Sequence, residues 1–216
     1  MLRRKTRKPP KPARAYHHGD LRAALLQAAL DMLEADGSAG LSLRAVAKAV
    51  GVSEAAPYHH FADKEALERA LAAEGFGRLT DRLTGALMAS GPGEDLHHLA
   101  AAYIGFALEA RGLFRLMVRL PLDRAQHDEL AALSEGALTP LAAAVARRIL
   151  PLGADADIVG FAALTLWTQL HGLAEILLSR TADQDPARYG PRVARLMEFF
   201  EDGLAAATQG QIERAG

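Results

Sequence analysis

LSLRAVAKAVGVSEAAPYHHFADK, residues 41–64 of the chain, predicts two short helices joined by a tight turn. Ser42 is placed to cap the first helix with its hydroxyl, and the apolar residues that follow recur at helical spacing. Gly51 stands where a chain leaving a helix often adopts a left-handed conformation. Ser53 is placed to cap the second helix, which we expect over residues 54–60. A short exposed helix of this kind has the size and chemistry to enter a DNA major groove.

Proline interrupts the regular pattern of the second helix. Pro57 falls in its first turn, where it removes a backbone donor and restricts the conformation of Ala56. We therefore expect this helix to start irregularly. Asp63 is placed to cap a further helix that opens with Lys64.

The segment from about Tyr16 to Phe76 resembles the DNA-binding domain of the TetR/AcrR family of transcriptional repressors. The run from Ser42 to Ser53 and the run Tyr58-His59-His60-Phe61, followed by Lys64, carry the resemblance. It implies that Tyr58, His59 and Lys64 contact DNA. Arg44 and Lys48, on the exposed side of the preceding helix, are phosphate candidates. The full set of candidate DNA contacts is Ser42, Arg44, Lys48, Ser53, Glu54, Ala55, Tyr58, His59 and Lys64.

Charge is distributed unevenly along the 216 residues. Residues 1–64 hold 11 basic and 6 acidic residues, a net charge of +5, whereas the remainder holds 14 and 20, a net charge of −6. A basic N-terminal part and an acidic remainder suggest that only the N-terminal part binds a polyanion. Seven basic residues lie within residues 1–14, which predicts either a disordered arm that touches DNA or a solvated tail. His17 and His18 follow this segment, and they either contact the DNA backbone or are simply an exposed pair.

Alanine and leucine dominate the composition and aromatic residues are few, which favours an all-α fold. There is no cysteine, hence no disulfide framework, and no signal peptide is recognised, so a cytoplasmic protein is expected. Helical patterns are predicted over residues 16–36, with Asp20 as cap, and over 63–90, where Gly75 and Gly77 are placed to bend the helix. Further helices are predicted at 94–110, ended by Gly112, at 112–120, at 126–150 with a kink at Thr139-Pro140, at 157–179 and at 190–208.

The most apolar segment is residues 157–179. Its length would suffice for a membrane span, but Gln169, His171 and Glu175 interrupt it. We favour a helix buried on one side by its own core and on the other by a partner. In TetR-like proteins the last two long helices pair with their symmetry mates, which implies a homodimer through residues 157–179 and 190–208.

A ligand cavity is the second functional hypothesis, because helix bundles bind ligands in mostly apolar spaces between facing helices. Its alternative is that every candidate is ordinary core. Trp167 and His171 lie four apart on one helix face, and the run from Trp167 to Gly172 resembles a Trp-x-x-x-His-Gly signature of a TetR subgroup. The candidate ligand contacts are Met88, Tyr103, Phe106, Phe114, Met117, Trp167 and His171.

Other chemistry is less well supported. The eight histidines include three adjacent pairs but no His-x-x-x-His, so no metal site or cofactor is expected. His171 and Glu175 have the spacing of an acid–base pair, although a structural hydrogen bond explains them as well. No nucleophile elbow or phosphate-binding glycine loop is present, so we expect no enzyme. A ligand-independent architectural DNA-binding protein is a further alternative.

The prediction is therefore an all-α protein with an N-terminal three-helix helix-turn-helix module and a C-terminal helical bundle. Residues 1–15 form a basic arm, 16–76 the DNA-binding domain, 77–208 the ligand-binding and dimerisation domain, and 209–216 a flexible tail. We expect a repressor that binds a palindromic operator as a homodimer. A small apolar or amphipathic molecule would release it, through the helix that starts at Asp63.

Overall fold

The computed structural model describes residues 18–91, 93–121, 124–179 and 185–215, and these residues form helices, turns and loops with no strand among them. The predicted arm, His17, Pro92 and residues 180–184 lie outside the described residues. The helices are α1 His18–Asp36, α2 Leu43–Val50, a 3₁₀ helix Ala56–His59, α3 Lys64–Ala89, α4 Asp95–Glu109, α5 Arg111–Arg119, α6 Arg124–Gly136, α7 Thr139–Ile149, a 3₁₀ helix Leu150–Leu152, α8 Ala156–Ser179 and α9 Pro186–Ala215.

The helix-turn-helix forms through the predicted local signals. The backbone N–H of Ala45 donates to the Ser42 hydroxyl at 3.2 Å, and Gly51 ends α2 in the left-handed region with φ of 78°. The Asp63 carboxylate accepts from the N–H of Ala66 at 2.7 Å and starts α3. Leu25, Leu33, Leu43, Val46, Phe61 and Leu67 bury the apolar faces of α1, α2 and α3 in one cluster.

The body helices pack around α4. It contacts α3, α5, α7, α8 and α9. Its residues 103–108 are all buried, so both faces of the helix are covered. Helix α3 continues through Gly75 and Gly77 without a break. It therefore belongs to both the helix-turn-helix module and the body. An ion pair of Arg82 with Glu109 joins α3 to α4 and lowers the pKa of the Glu109 carboxyl.

Several predicted helix ends are wrong, each for a local reason. Helix α1 begins at His18, so Asp20 lies inside it and is not its cap. The break predicted at Gly112 falls at Ala110, so α5 starts at Arg111, one residue earlier than predicted. Two separate helices replace the predicted kinked one at 126–150, because Pro140 is tolerated in the first turn of α7, where its missing N–H costs no bond.

The last helix is longer than predicted at both ends. Asp185 caps it by accepting from the N–H of Ala187 at 2.9 Å, so α9 starts at Pro186, before the predicted start at residue 190. It continues to Ala215, through the segment predicted as a flexible tail.

Helix α8 is the one element of the described residues whose length and apolar composition would suit a membrane span. It packs against α4 and α7 along one face, where Ala162, Leu166, Leu170 and Ala174 are buried. This face is the side that the sequence predicted to be buried against the protein's own core.

Close approach between α1 and α5 depends on Gly112. A Cβ atom at this position would overlap the carbonyl group of Leu33. Because this neighbour is helix backbone, it has little freedom to move away.

We predict that Gly112→Ala lowers the free energy of unfolding by about 1–3 kcal/mol, because the overlap forces α1 and α5 apart. Gly85→Ala is the matched control, because Gly85 lies on the exposed side of α3 with nothing near its Cβ position. Alanine there should be neutral or stabilise the protein by about 0.5–1 kcal/mol. Urea unfolding of both variants measures the effect, and equal stabilities would contradict the proposed close contact.

Candidate DNA-binding surface and ligand cavity

The nine predicted DNA contacts all lie on the surface of the helix-turn-helix. Each is exposed, and they lie on α2, the 3₁₀ helix, the turns beside them and the first residue of α3. Ser42 also has a structural role, because its hydroxyl caps α2.

The second helix of the motif is a single 3₁₀ turn, Ala56–His59, preceded by turn residues 54–55. The irregular start predicted from Pro57 is confirmed. Pro57 is buried and anchors the turn, whereas Tyr58 is 51% exposed. The prediction that Ser53 caps this helix with its side chain is wrong: no side-chain cap is formed, and the Ser53 carbonyl accepts from the N–H of Ala56 instead. The Ser53 hydroxyl is therefore available to a partner.

An ion pair joins the two halves of this surface. Arg44 Nε lies 3.4 Å from a carboxylate oxygen of Glu54, and both side chains are about three-quarters exposed, at 77% and 74%. An exposed pair of this kind stabilises the fold little, by about 0–1 kcal/mol. Its geometry nonetheless holds the Glu54 carboxylate beside the turn that precedes the 3₁₀ helix.

Lys64 already has partners within the protein. Its Nζ donates to the Ser38 carbonyl at 2.8 Å and lies 3.8 Å from the Glu68 carboxylate. Its side chain is still 46% exposed. The lysine therefore ties the start of α3 to the turn after α1, whatever contact it makes with DNA.

A cavity of about 120 Å³ lies in the body between α3, α4, α5, α8 and residues 134–137. Five of the seven predicted ligand contacts line it. The other two do not: Met88 is 80% exposed at the far end of α3, and Phe106 is buried in the core elsewhere on α4. The lining residues are Phe76, Leu79, Tyr103, Phe114, Met117, Val118, Ser134, Ala137, Trp167 and His171.

Half of the lining residues were not predicted. Phe76 and Leu79 lie three apart on α3, and this spacing indicated a shared apolar face without saying which element it meets. Ser134 and Ala137 are small and adjoin the break between α6 and α7, where no sequence signal distinguishes a cavity wall from ordinary packing.

The cavity contains one polar network among aromatic rings. Tyr103 Oη lies 3.1 Å from His171 Nδ1, so one donates to the other. The Trp167 and His171 rings stack with centroids 5.1 Å apart and an interplanar angle of 27°, and the Phe114 centroid lies 5.6 Å from that of His171. Burial lowers the pKa of His171, opposed by the charge of Glu175, and burial also raises the pKa of Tyr103. Both side chains are therefore neutral near pH 7.

The predicted acid–base pair is not assembled. Glu175 is exposed, and the hydrogen bond of His171 goes to Tyr103 across the cavity.

Helix α5 connects the cavity to the helix-turn-helix. The Glu34 carboxylate at the end of α1 accepts from the N–H groups of both Gly112 and Leu113, each at 2.9 Å. These are free donors in the first turn of α5, so a residue of α1 acts as the N-terminal cap of a helix 78 positions away. The same helix presents Phe114, Met117 and Val118 to the cavity.

Two arginines fix the rest of α5. Arg119 donates to the Glu68 carboxylate of α3 at 3.1 Å, and Glu68 is nearly buried. Arg115 donates to the carbonyl of Leu178 at the end of α8, at 2.9 Å. Helix α5 is thus joined by side-chain hydrogen bonds to α1, α3 and α8.

An apolar face remains exposed on the last two helices. Phe161 is 74% exposed on α8 and Phe199 is 67% exposed on α9, and Leu164 and Ile176 are about half exposed. On α8 these residues are spaced so that they share one side of the helix. We call Phe161, Leu164, Ile176 and Phe199 the apolar face.

Two family matches cover most of the chain. Residues 25–80 match the family described as bacterial regulatory proteins, tetR family, and residues 96–200 match the tetracyclin repressor-like C-terminal domain. An uncharacterized HTH-type transcriptional regulator of Mycobacterium tuberculosis is 28% identical over 168 residues, which are 76% of this chain and 72% of the relative.

Solved structures share the fold over nearly the whole length. A protein of unknown function from Rhodococcus sp. RHA1 is 34% identical with a TM-score of 0.75, over 89% of this chain and 100% of that one. The regulator FadR of Bacillus subtilis, solved with stearoyl-CoA, is 17% identical with a TM-score of 0.66, over 81% of this chain and 96% of that one.

The fold and these matches define a helix-turn-helix DNA-binding transcriptional regulator, and not an enzyme. Within that class the chain belongs to the TetR family.

Proposed function

We propose that the protein is a ligand-responsive repressor that binds a palindromic operator as a homodimer and leaves it when a small molecule occupies the body cavity. The observation that carries the proposal is the bond between the cavity-lining helix α5 and the helix-turn-helix through Glu34. We assign residues 16–76 to DNA binding and 77–208 to ligand binding and dimerisation, with α3 shared between them. A cytoplasmic location follows from a chromosomal operator.

On DNA, the exposed cations and the 3₁₀ turn take different roles. Lys48 and Arg44 on α2, with Tyr58 and His59 on the turn, are placed to contact phosphates, which give affinity without sequence information. The polar side chains of Ser53 and Glu54, and the methyl group of Ala55, precede the turn and are the candidates for base contacts. Two such surfaces in a symmetric dimer would read half-sites about one helical turn, or a multiple of it, apart.

We predict that Tyr58→Ala and Lys48→Ala each weaken binding to DNA from the protein's own upstream region by about tenfold or more, and that Lys48→Ala lowers the dependence on salt. Arg78→Ala is the matched control, because Arg78 is an exposed cation on α3 that bonds to Glu74 outside this surface. A gel-shift titration with nonspecific competitor measures the affinities.

Unchanged affinity for the Tyr58 and Lys48 variants would refute the proposed surface. Lys64 is a poorer probe than Lys48, since its removal also deletes the bond to Ser38. Nonspecific binding alone by the wild-type protein would favour the architectural alternative.

The apolar face supports a homodimer through α8 and α9. Four large apolar side chains on neighbouring helices are more than isolated surface residues, and such a patch is typical of an interface. In a symmetric dimer the same patch would meet itself across the axis. Leu177 on α8 is fully buried inside the protomer. A charge at Leu177 would therefore test folding of the protomer and not its association.

We predict that Phe161→Glu produces a folded monomer, because the charge falls on the apolar face and leaves the protomer core intact. Light scattering reports the mass, and circular dichroism reports the helix content. Met88→Glu, at an equally exposed apolar residue near the end of α3, should remain dimeric. A dimeric Phe161→Glu protein would place the interface elsewhere.

Ligand release requires that the cavity and the DNA surface share one structural element. A molecule in the cavity contacts α5 at Phe114 and Met117, and any shift of α5 acts directly on α1 through Glu34. The path through α5 and α1 supplements the path through α3, which lines the cavity with Phe76 and Leu79 and continues into the helix-turn-helix. A ligand shifts the equilibrium only by its differential affinity for the two arrangements.

Because such coupling is reciprocal, DNA should affect α5. We predict that specific DNA slows amide exchange at Gly112 and Leu113 in the wild-type protein, and that Glu34→Ala abolishes most of this effect. Glu109→Ala is the control, since its ion pair joins α3 to α4 without contacting α1. Equal protection in the wild-type and Glu34→Ala proteins would remove α5 from the coupling path.

An effector is favoured over a ligand-free architectural role by the cavity itself. FadR of Bacillus subtilis, similar in fold, was solved in complex with stearoyl-CoA, so at least one regulator of this fold binds a small-molecule ligand.

A further inference from the structure

We propose that the effector of this protein is a small, neutral, planar ring compound with one hydrogen-bonding group, of the size of phenol. The inference rests on the proposed function as a ligand-responsive regulator and specifies the chemistry of its ligand. It is carried by the volume of the cavity, the arrangement of its rings, its lack of charged side chains and the position of its polar groups.

The volume sets the size of the ligand. The cavity measures about 120 Å³. An apolar protein cavity of about 150 Å³ holds benzene, so a single ring with a small substituent is the ligand whose size matches the space. The half-buried Trp167 and the 42% exposed Val118 lie on the solvent side of the cavity and provide an entrance.

The rings define a flat site. Trp167 and His171 stack nearly parallel, and Phe114 makes an edge contact with Tyr103 at an interplanar angle of 90°. Aromatic rings prefer offset-stacked or edge-to-face contacts with one another, so a cavity lined by the rings of Phe76, Tyr103, Phe114, Trp167 and His171 favours a planar aromatic ligand. An aliphatic ligand of equal volume would gain apolar burial but not these contacts.

Charge is excluded by the composition of the lining. None of the ten lining residues is Lys, Arg, Asp or Glu. The lowered pKa of His171, caused by burial and opposed by Glu175, keeps the imidazole neutral near pH 7. An ionised ligand would lose hydration without gaining a counter-charge, which is costly in an apolar site.

One polar group on the ligand would find partners. The Tyr103 hydroxyl and the His171 ring bond to each other at one wall of the cavity. A phenolic oxygen has both an acceptor and a donor, so it can extend this pair. Ser134, the other hydroxyl in the lining, forms no side-chain hydrogen bond with the described residues and is a second partner.

The test uses phenol as the probe and the fluorescence of Trp167 as the signal. Trp167 is the sole tryptophan of the chain and lines the cavity, so occupancy changes its emission directly. Excitation at the red edge of the indole band avoids absorption by phenol. We expect saturable binding of phenol, and binding of benzoate at least about tenfold weaker, because the carboxylate must be desolvated.

Two variants locate the site. Ala137→Leu fills the cavity and should abolish binding, and Tyr103→Phe, which removes one hydroxyl, should weaken it by about fivefold, the loss expected for one neutral hydrogen bond. Tyr189→Phe is the matched control, because Tyr189 lies on α9 outside the cavity lining. Thermal unfolding of each variant verifies that it is folded, and any unfolded variant is replaced by Ser134→Val, which blocks the same space and removes the second hydroxyl.

The outcomes separate this inference from the proposed function. Saturable phenol binding that Ala137→Leu abolishes, with release of specific DNA, supports both. No phenol binding, benzoate binding as tight as that of phenol, or binding that persists in the filled cavity overturns the ligand class while specific DNA binding still supports a repressor. Failure to bind specific DNA overturns the proposed function, whatever the cavity holds.

Discussion

The carboxylate of Glu34 is the interaction on which the relation between the two halves of the protein depends. It accepts two backbone N–H groups at the start of α5, and the first turn of any helix needs such acceptors. Its position at the end of α1 means that the helix-turn-helix supplies the cap of a body helix. The missing side chain of Gly112 allows the backbones to approach closely enough for this bond. Two helices distant in the chain are therefore held together by direct contacts.

The same helix explains why the cavity lies where it does. Arg115 and Arg119 hold α5 to α8 and α3, while its apolar side faces the space between them. The frame leaves a gap that the lining rings do not fill, and the Tyr103–His171 hydrogen bond pairs two of the polar groups that border it. A gap bordered by neutral groups is suited to a neutral molecule.

Local backbone constraints determine the shape of the candidate DNA-binding surface. Pro57 is buried below a single 3₁₀ turn, so Tyr58 and His59 are carried outward on a short rigid element. Lys64 and Glu68 then tie the start of α3 to the turn after α1 and, through Arg119, to α5. Some residues therefore take part both in positioning the recognition surface and in stabilising the body.

Sequence alone determined the local features, because caps, turns and apolar faces depend on residues close in the chain. Ser42, Gly51 and Asp63 each do what their positions indicated, and the family followed from the same stretch. Only the tertiary structure decided which Phe and Met side chains face the cavity: Met117 and Phe114 line it, whereas Met88 and Phe106, of the same residue types, lie elsewhere. It alone decided the start of α5, since its cap comes from Glu34, 78 residues earlier. Spacing along a helix specifies a face, whereas the neighbour that the face meets depends on the packing of the whole chain.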